Sequence, residues 1–213
     1  MTKLSALAIC VLLLTGCSTS ATSDNPSASQ ASPNDKKTSF EQVDQQEFEL
    51  ALSKLKVEKD EFDGNLNILP KFDKPTFTTV GKSRISIAAS VAKTAEDSEW
   101  GFALSSAYFG EGWMFHDEIN MKSDNGILNL KDVLEANRQV QNGGNVLEQG
   151  VRELELGEIQ QFCKIIKSDQ TEFRLRGLRG EVRGLTGTMG AESTIANRAV
   201  CVVYAGLIQG LEP

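Results

Sequence analysis

Hydrophobic and polar residues alternate most clearly in the middle of the chain. Ile85, Ile87, Ala89 and Val91 are separated by Ser86, Ala88 and Ser90, the two-residue beat of a half-buried strand. After a polar turn a second strand places Trp100, Phe102, Leu104, Ser106 and Tyr108 on one face, with Gly101, Ala103, Ser105 and Ala107 on the other. Gly110-Glu111-Gly112 reverses the chain into a third, with Trp113, Phe115, Ile119 and Met121 on one face and Met114, His116, Glu118 and Asn120 opposite. Asp124-Asn125-Gly126 is a hairpin signal, because Asn-Gly supplies the positive φ angles of a tight turn. An antiparallel meander is the expected result.

The flanks are read in the same way. Val43, Phe48, Ala51, Leu52 and Leu55 predict a short amphipathic helix, and Phe62, Asp63-Gly64, Leu66 and Ile68 predict two strands around a turn. Beyond the meander, residues 127–140 extend the sheet, Asn142-Gly143-Gly144-Asn145 turns the chain, and Val146 to Leu154 forms another strand. Leu156, Ile159, Phe162, Cys163 and Ile166 change the period to helical near 157–168. Phe173 and Leu175 alternate with charges in a further strand, and Gly177 to Gly190 is a glycine-punctuated loop. Ile195, Ala199, Val202, Val203, Gly206, Leu207 and Gly210 predict a closing helix, although residues 200–204 also fit a buried strand. The expected fold class is α+β: an antiparallel β-meander of roughly five to eight strands with helices packed on one face. A β-sandwich with peripheral helices is the alternative.

The N-terminal segment follows different rules. Lys3 precedes an apolar run from Leu4 to Leu14, and the run ends in Leu14-Thr15-Gly16-Cys17. A basic start, a hydrophobic centre of about ten residues and small residues at the end form an export signal. The run falls short of the roughly 20 apolar residues a membrane-spanning helix needs. Leu14-Thr15-Gly16-Cys17 resembles the lipobox of bacterial lipoproteins. That resemblance implies a signal peptide over residues 1–16, cleavage before Cys17, and lipid attachment through the Cys17 thiol. It implies an extracytoplasmic position on the cell envelope, at the outer membrane in a Gram-negative cell or the outside of the cell membrane in a Gram-positive one. Two acyl chains anchor stably where one holds only marginally. Residues 18–39 carry no large apolar side chain and read as a disordered linker, so that residues 17–39 form a lipidated tether. Residues 40–213 remain for a single globular domain.

Composition narrows the function classes. The chain has 29 acidic and 22 basic residues, a formal net charge of −7, which disfavours phosphate backbones and predicts no nucleic-acid partner. Of the four cysteines, Cys10 lies in the signal and Cys17 is the lipid site, leaving Cys163 and Cys201. In an exported protein a disulfide between them fits, and closing so long a loop stabilises by about 4 kcal/mol in the chain-entropy model. Two small buried hydrophobes fit as well.

The single histidine, His116, lies in His116-Asp117-Glu118. On a strand His116 and Glu118 share a face and could act as an acid and base pair, but the simpler expectation is a solvent-facing sheet edge. A zinc site needs three or four protein ligands and no second histidine exists, so no metal and no cofactor are expected. No Gly-x-Ser-x-Gly turn marks a hydrolase nucleophile. Arg174, Arg176, Arg179 and Arg183 crowd one stretch and are candidates for anion or ligand binding, against the plainer role of pairing with acidic neighbours such as Glu172 and Glu181. Trp100, Phe102, Tyr108, Trp113 and Phe115 form either core or a binding patch.

These features favour a membrane-anchored envelope lipoprotein with a non-catalytic binding or interaction domain, its partner an envelope protein or another surface ligand. An envelope hydrolase acting through carboxylates or His116 is the alternative. A binding module would show a patch or groove free of clustered titratable groups. A pocket gathering His116 or paired carboxylates would point to the enzyme.

Overall fold

Two long neighbouring strands carry the frame, and both follow from alternation. In the computed structural model, which describes residues 40–71, 76–97, 99–141, 143–177 and 184–213, these are β4 (Ser83–Lys93) and β5 (Gly101–Gly110). They pair antiparallel from Arg84 with Phe109 to Ala92 with Gly101. Ile85, Ile87, Ala89 and Val91 of β4 and Phe102, Leu104, Ser106 and Tyr108 of β5 are buried, as the two-residue beat predicts.

Around this pair grows a seven-stranded antiparallel sheet. β1 (Leu55–Lys59) and β2 (Leu66–Pro70) form a hairpin turned at Gly64, whose φ of 70° suits glycine. β2 and the short β3 (Thr78–Val80) both lie along the free side of β4, and β9 (Val146–Glu153) and β8 (Leu134–Val140) follow β5 on the other side. The second sheet has four strands in the order β11 (Leu185–Thr188), β10 (Glu172–Gly177), β6 (His116–Ser123) and β7 (Gly126–Leu130). The expected meander therefore splits into two sheets. The chain leaves the large sheet after β5, builds β6 and β7 in the small one, and returns through Asp132, whose φ is 57°, to β8.

Three helices complete the α+β fold. α1 (Gln45–Leu52) starts at Asp44, whose carboxylate accepts the Glu47 N–H at 2.8 Å. α3 (Ala191–Ile208) is the closing helix; it packs on β4, β2 and α1, which settles residues 200–204 as helix. α2 (Leu156–Ile165) packs on β7 of the small sheet. Phe102 meets Phe162 of α2 and Tyr204 of α3, both edge-on, with centroids 5.7 and 5.3 Å apart. Beside this aromatic joint a disulfide links Cys163 of α2 to Cys201 of α3, their Cα atoms 5.7 Å apart. Arg198 of α3 adds a polar tie, donating to the carbonyls of Ile166 and Lys167 just past the end of α2.

β11 sits inside the stretch expected to be loop, because Leu185-Thr-Gly-Thr has little apolar alternation to reveal it. Among the described residues no helix is long and apolar enough to cross a membrane.

Candidate functional site

A polar cluster built from three strands lies in the core. β5 contributes Ser106, β9 contributes Glu148 and β6 contributes His116, and their exposures are 1, 1 and 6 %. Sequence reasoning placed His116 on a solvent face, and the structure corrects this. β10 pairs Arg176 with Glu118 but Gly177 with His116, so Asp117 is an extra, unpaired residue in β6. Such a bulge resets the alternation, and His116 joins Ile119 and Met121 on the buried face. Phe115, with a φ of 54°, and Trp113 are left partly exposed, while Met114 turns inward. Gly177 makes this approach feasible, since a Cβ there would collide with the carbonyls of Met114 and Phe115.

Glu148 holds the resulting kink. Its Oε1 accepts the Met114 N–H, and its Oε2 accepts the His116 N–H at 3.3 Å. Burial raises the pKa of this carboxyl, but the His116 ring and the backbone N–H groups around Phe115 more than offset it and bring the pKa below the ordinary value. Glu148 is thus an anion at neutral pH.

His116 bridges the other two groups. Its Nε2 is 2.9 Å from Ser106 Oγ, and its Nδ1 is 3.5 Å from Glu148 Oε2. A carboxylate facing Nδ1 favours a proton on that nitrogen, so Nε2 accepts from the Ser106 hydroxyl. Gly150 forms the floor: a Cβ there would stand 3.0 Å from His116 Nε2 and 3.1 Å from Ser106 Oγ.

Hydroxyl, imidazole and carboxylate occur in the contact order of a serine hydrolase relay. Access runs against that chemistry. A cavity of about 80 Å³ opens beside the cluster, lined by His116, Glu148, Asp117, Val133, Phe115 and Arg138 together with Glu135 and Gln149. His116 and Glu148 are in its wall, and Ser106 is not. The serine is sealed between His116 and Gly150, where no scissile carbonyl reaches Oγ.

Buried polar atoms without partners lie in the residues around the cavity. Among the described residues, the buried side-chain atoms that lack a hydrogen-bond partner are His116 Nδ1, Asp117 Oδ1 and Arg138 Nε, and all three residues line this cavity. The Arg138 guanidinium lies 4.6 Å from the Phe115 ring centroid, and its Nη1 pairs with Glu135 Oε2 at 2.5 Å. The backbone carbonyl of the bulged Asp117 accepts the Val133 N–H at 3.0 Å, which brings Val133 to the wall.

The other sequence candidates lie elsewhere. Arg174 and Arg176 project from the exposed face of β10, where Arg174 bonds Asn120 Oδ1 and Arg176 lies 3.5 Å from Glu118. Arg179, Arg183, Cys17 and the linker fall outside the described residues. Trp100 is partly buried under Lys93, whose Nζ is 5.6 Å from the ring centroid. No group of three or more potential metal ligands occurs among the described residues. Sequence reasoning put Ser106 on the buried face but missed Glu148, although the beat from Val146 points this acid inward. Comparison with known proteins finds no matching family model, no matching curated protein and no matching solved structure.

Proposed function

We propose that this chain is a lipid-anchored binding domain of the bacterial envelope, tethered through Cys17 and without catalytic activity of its own. The anchor is supported by Leu14-Thr15-Gly16-Cys17 at the end of an apolar run and by the polar linker behind it. The binding role is supported by one observation: the cavity takes in His116 and Glu148 but not Ser106, and holds only about 80 Å³. Enclosed substrate sites occupy roughly 300–1,000 Å³, so this one takes a single functional group at the tip of a larger ligand. Ser106, His116 and Glu148 fix the wall of that recognition site rather than attack what enters it.

A second reading, a serine hydrolase, is favoured by the contact order of the same three residues and by the titratable groups gathered at the cavity. One experiment separates the two. A fluorophosphonate probe should leave Ser106 unmodified in the full-length chain; stoichiometric labelling of Ser106, absent from Ser106→Ala, would establish the hydrolase. For the anchor, Cys17→Ala should abolish acyl incorporation and release the protein from the membrane fraction, and continued acylation of that variant would refute it.

A further inference from the structure

We infer that the β1–β2 hairpin of one copy inserts Phe62 into a groove beside the same hairpin on a second copy, so that two chains pair about a two-fold axis. This goes beyond the reading of the cavity beside His116 and does not depend on it. Phe62 is 99 % exposed, more than any other large apolar side chain among the described residues. The turn that carries it is held firmly. Asp60 Oδ1 accepts the N–H groups of Phe62 at 2.8 Å and Asp63 at 3.1 Å, and the Asp60 carbonyl accepts the Gly64 N–H at 2.9 Å. The Asp63 and Phe62 N–H groups also hold the Asp60 carboxyl below its ordinary pKa and so keep it charged. A ring presented to water on so tight a turn has little backbone freedom left to lose on docking.

The hole lies next to the knob. A groove of about 550 Å³ runs between the foot of the hairpin, the residues just before β5 and the end of α3, and Leu66, Trp100, Leu207 and Leu211 give it apolar walls. Its volume falls in the range of roughly 300–1,000 Å³ that ligand sites occupy, ample for one aromatic ring. Phe62, being exposed, does not fill the groove of its own chain. Asn65 fixes the spacing of the two features, since its Oδ1 accepts the N–H of Ala95 in the groove wall at 3.2 Å. A knob set rigidly beside its own hole is the arrangement that a two-fold axis turns into two equal contacts, each copy giving one ring and receiving one.

Charge selects a second copy over a bilayer. Asp60, Glu61 and Asp63 flank Phe62 with three carboxylates, which an anionic lipid surface repels. The groove answers them. Lys93 stands in its wall with Nζ 5.6 Å from the Trp100 centroid, and it pairs with no acid among the described residues. The acid in the wall, Glu212, is met by Lys59 at the foot of the incoming hairpin. Trp100 supplies a partner for the entering ring, a pairing that adds to the burial of area. One ring and one groove per copy make a small interface of the transient class.

The test measures the mass of the full-length chain by sedimentation equilibrium in density-matched detergent over a wide range of concentration. The expected result is a reversible monomer–dimer equilibrium. Phe62→Ala should weaken it by about tenfold or more at unchanged melting temperature, while Ile127→Ala, which trims another exposed apolar side chain on β7, should leave it as it is. Lys93→Glu should weaken the dimer, and adding Glu61→Lys should restore it. A photoactivated benzophenone residue in place of Phe62, in a mixture of heavy-isotope and ordinary chains, should crosslink to groove peptides of mixed label. A chain that stays monomeric, a Phe62→Ala variant that pairs as tightly as the parent, or crosslinks confined to one chain or to lipid would each overturn the two-fold pairing.

Discussion

Two polar clusters lie buried in this core, and they are built to different standards. In one, Asn197 of α3 has no exposed surface; its Oδ1 accepts the Ala89 N–H at 2.7 Å and its Nδ2 contacts Met189 Sδ at 3.4 Å. The reason lies in the sheet. β3 covers β4 from Ser83 to Ile85 and β2 covers it from Val91 to Lys93, so the stretch between them has no strand on that side. Asn197 supplies the acceptor for Ala89, and its own Oδ1 and Nδ2 both have partners. In the other cluster, Glu148 performs the same service for Met114 and His116, yet three polar atoms around the cavity remain unanswered. A closed polar cluster specifies the fold. An open one specifies the fold and leaves polar atoms unanswered beside a cavity.

That contrast can be broken by measurement. The largest effect should come from Glu148→Ala, which strands two buried backbone N–H groups at about 1–3 kcal/mol each; denaturant unfolding should register a loss of about 4 kcal/mol, and a loss below about 1 would show that the kink holds itself. Asn197→Ala strands a single N–H and should cost about 2 kcal/mol by the same assay. Acid should act on one cluster alone. The Glu148 pKa is lowered in the folded state, so its contribution is complete above the ordinary value of 4.5 and drains away as the pH falls through the lower folded value. Glu148→Gln should remove that part of the acid sensitivity, whereas Asn197→Ala should unfold with the same pH profile as the parent. Smallest of all, Asp117→Leu should shift stability by no more than about 0.5 kcal/mol, since its buried oxygen has no partner to lose. A cost matching that of Asn197→Ala would make the two clusters alike and end the distinction.

How much of this was legible depended on whether the local beat was intact. β4 and β5 declared their faces because one side is apolar and the other is serine and alanine, and Ser106 appeared on the inward side among Phe102, Leu104 and Tyr108. α2 and α3 were found from three and four residue spacing. His116 was misplaced because periodicity cannot see a bulge, which is set by the partner strand: Gly177 of β10 lies far along the chain and admits the Met114 and Phe115 carbonyls only because it lacks a side chain. Asn197 gave no sign, since the gap it fills is produced by the ends of β2 and β3. The division into two sheets was hidden for a similar reason, as β7 and β8 follow each other closely in sequence and part at the Asp132 backbone.

The extra residue in β6 gives the recognition site an unusual dependence on chain length. Excising Asp117 altogether, as opposed to replacing it, would bring β6 back into step with β10 and leave the imidazole on the inward face, opposite Gly177. What would go is the Asp117 carbonyl that accepts the Val133 N–H, and with it the tie that brings Val133 to the cavity wall. A three-nucleotide loss therefore parts the two: the buried cluster of Ser106, His116 and Glu148 stays, and the cavity beside it loses a wall.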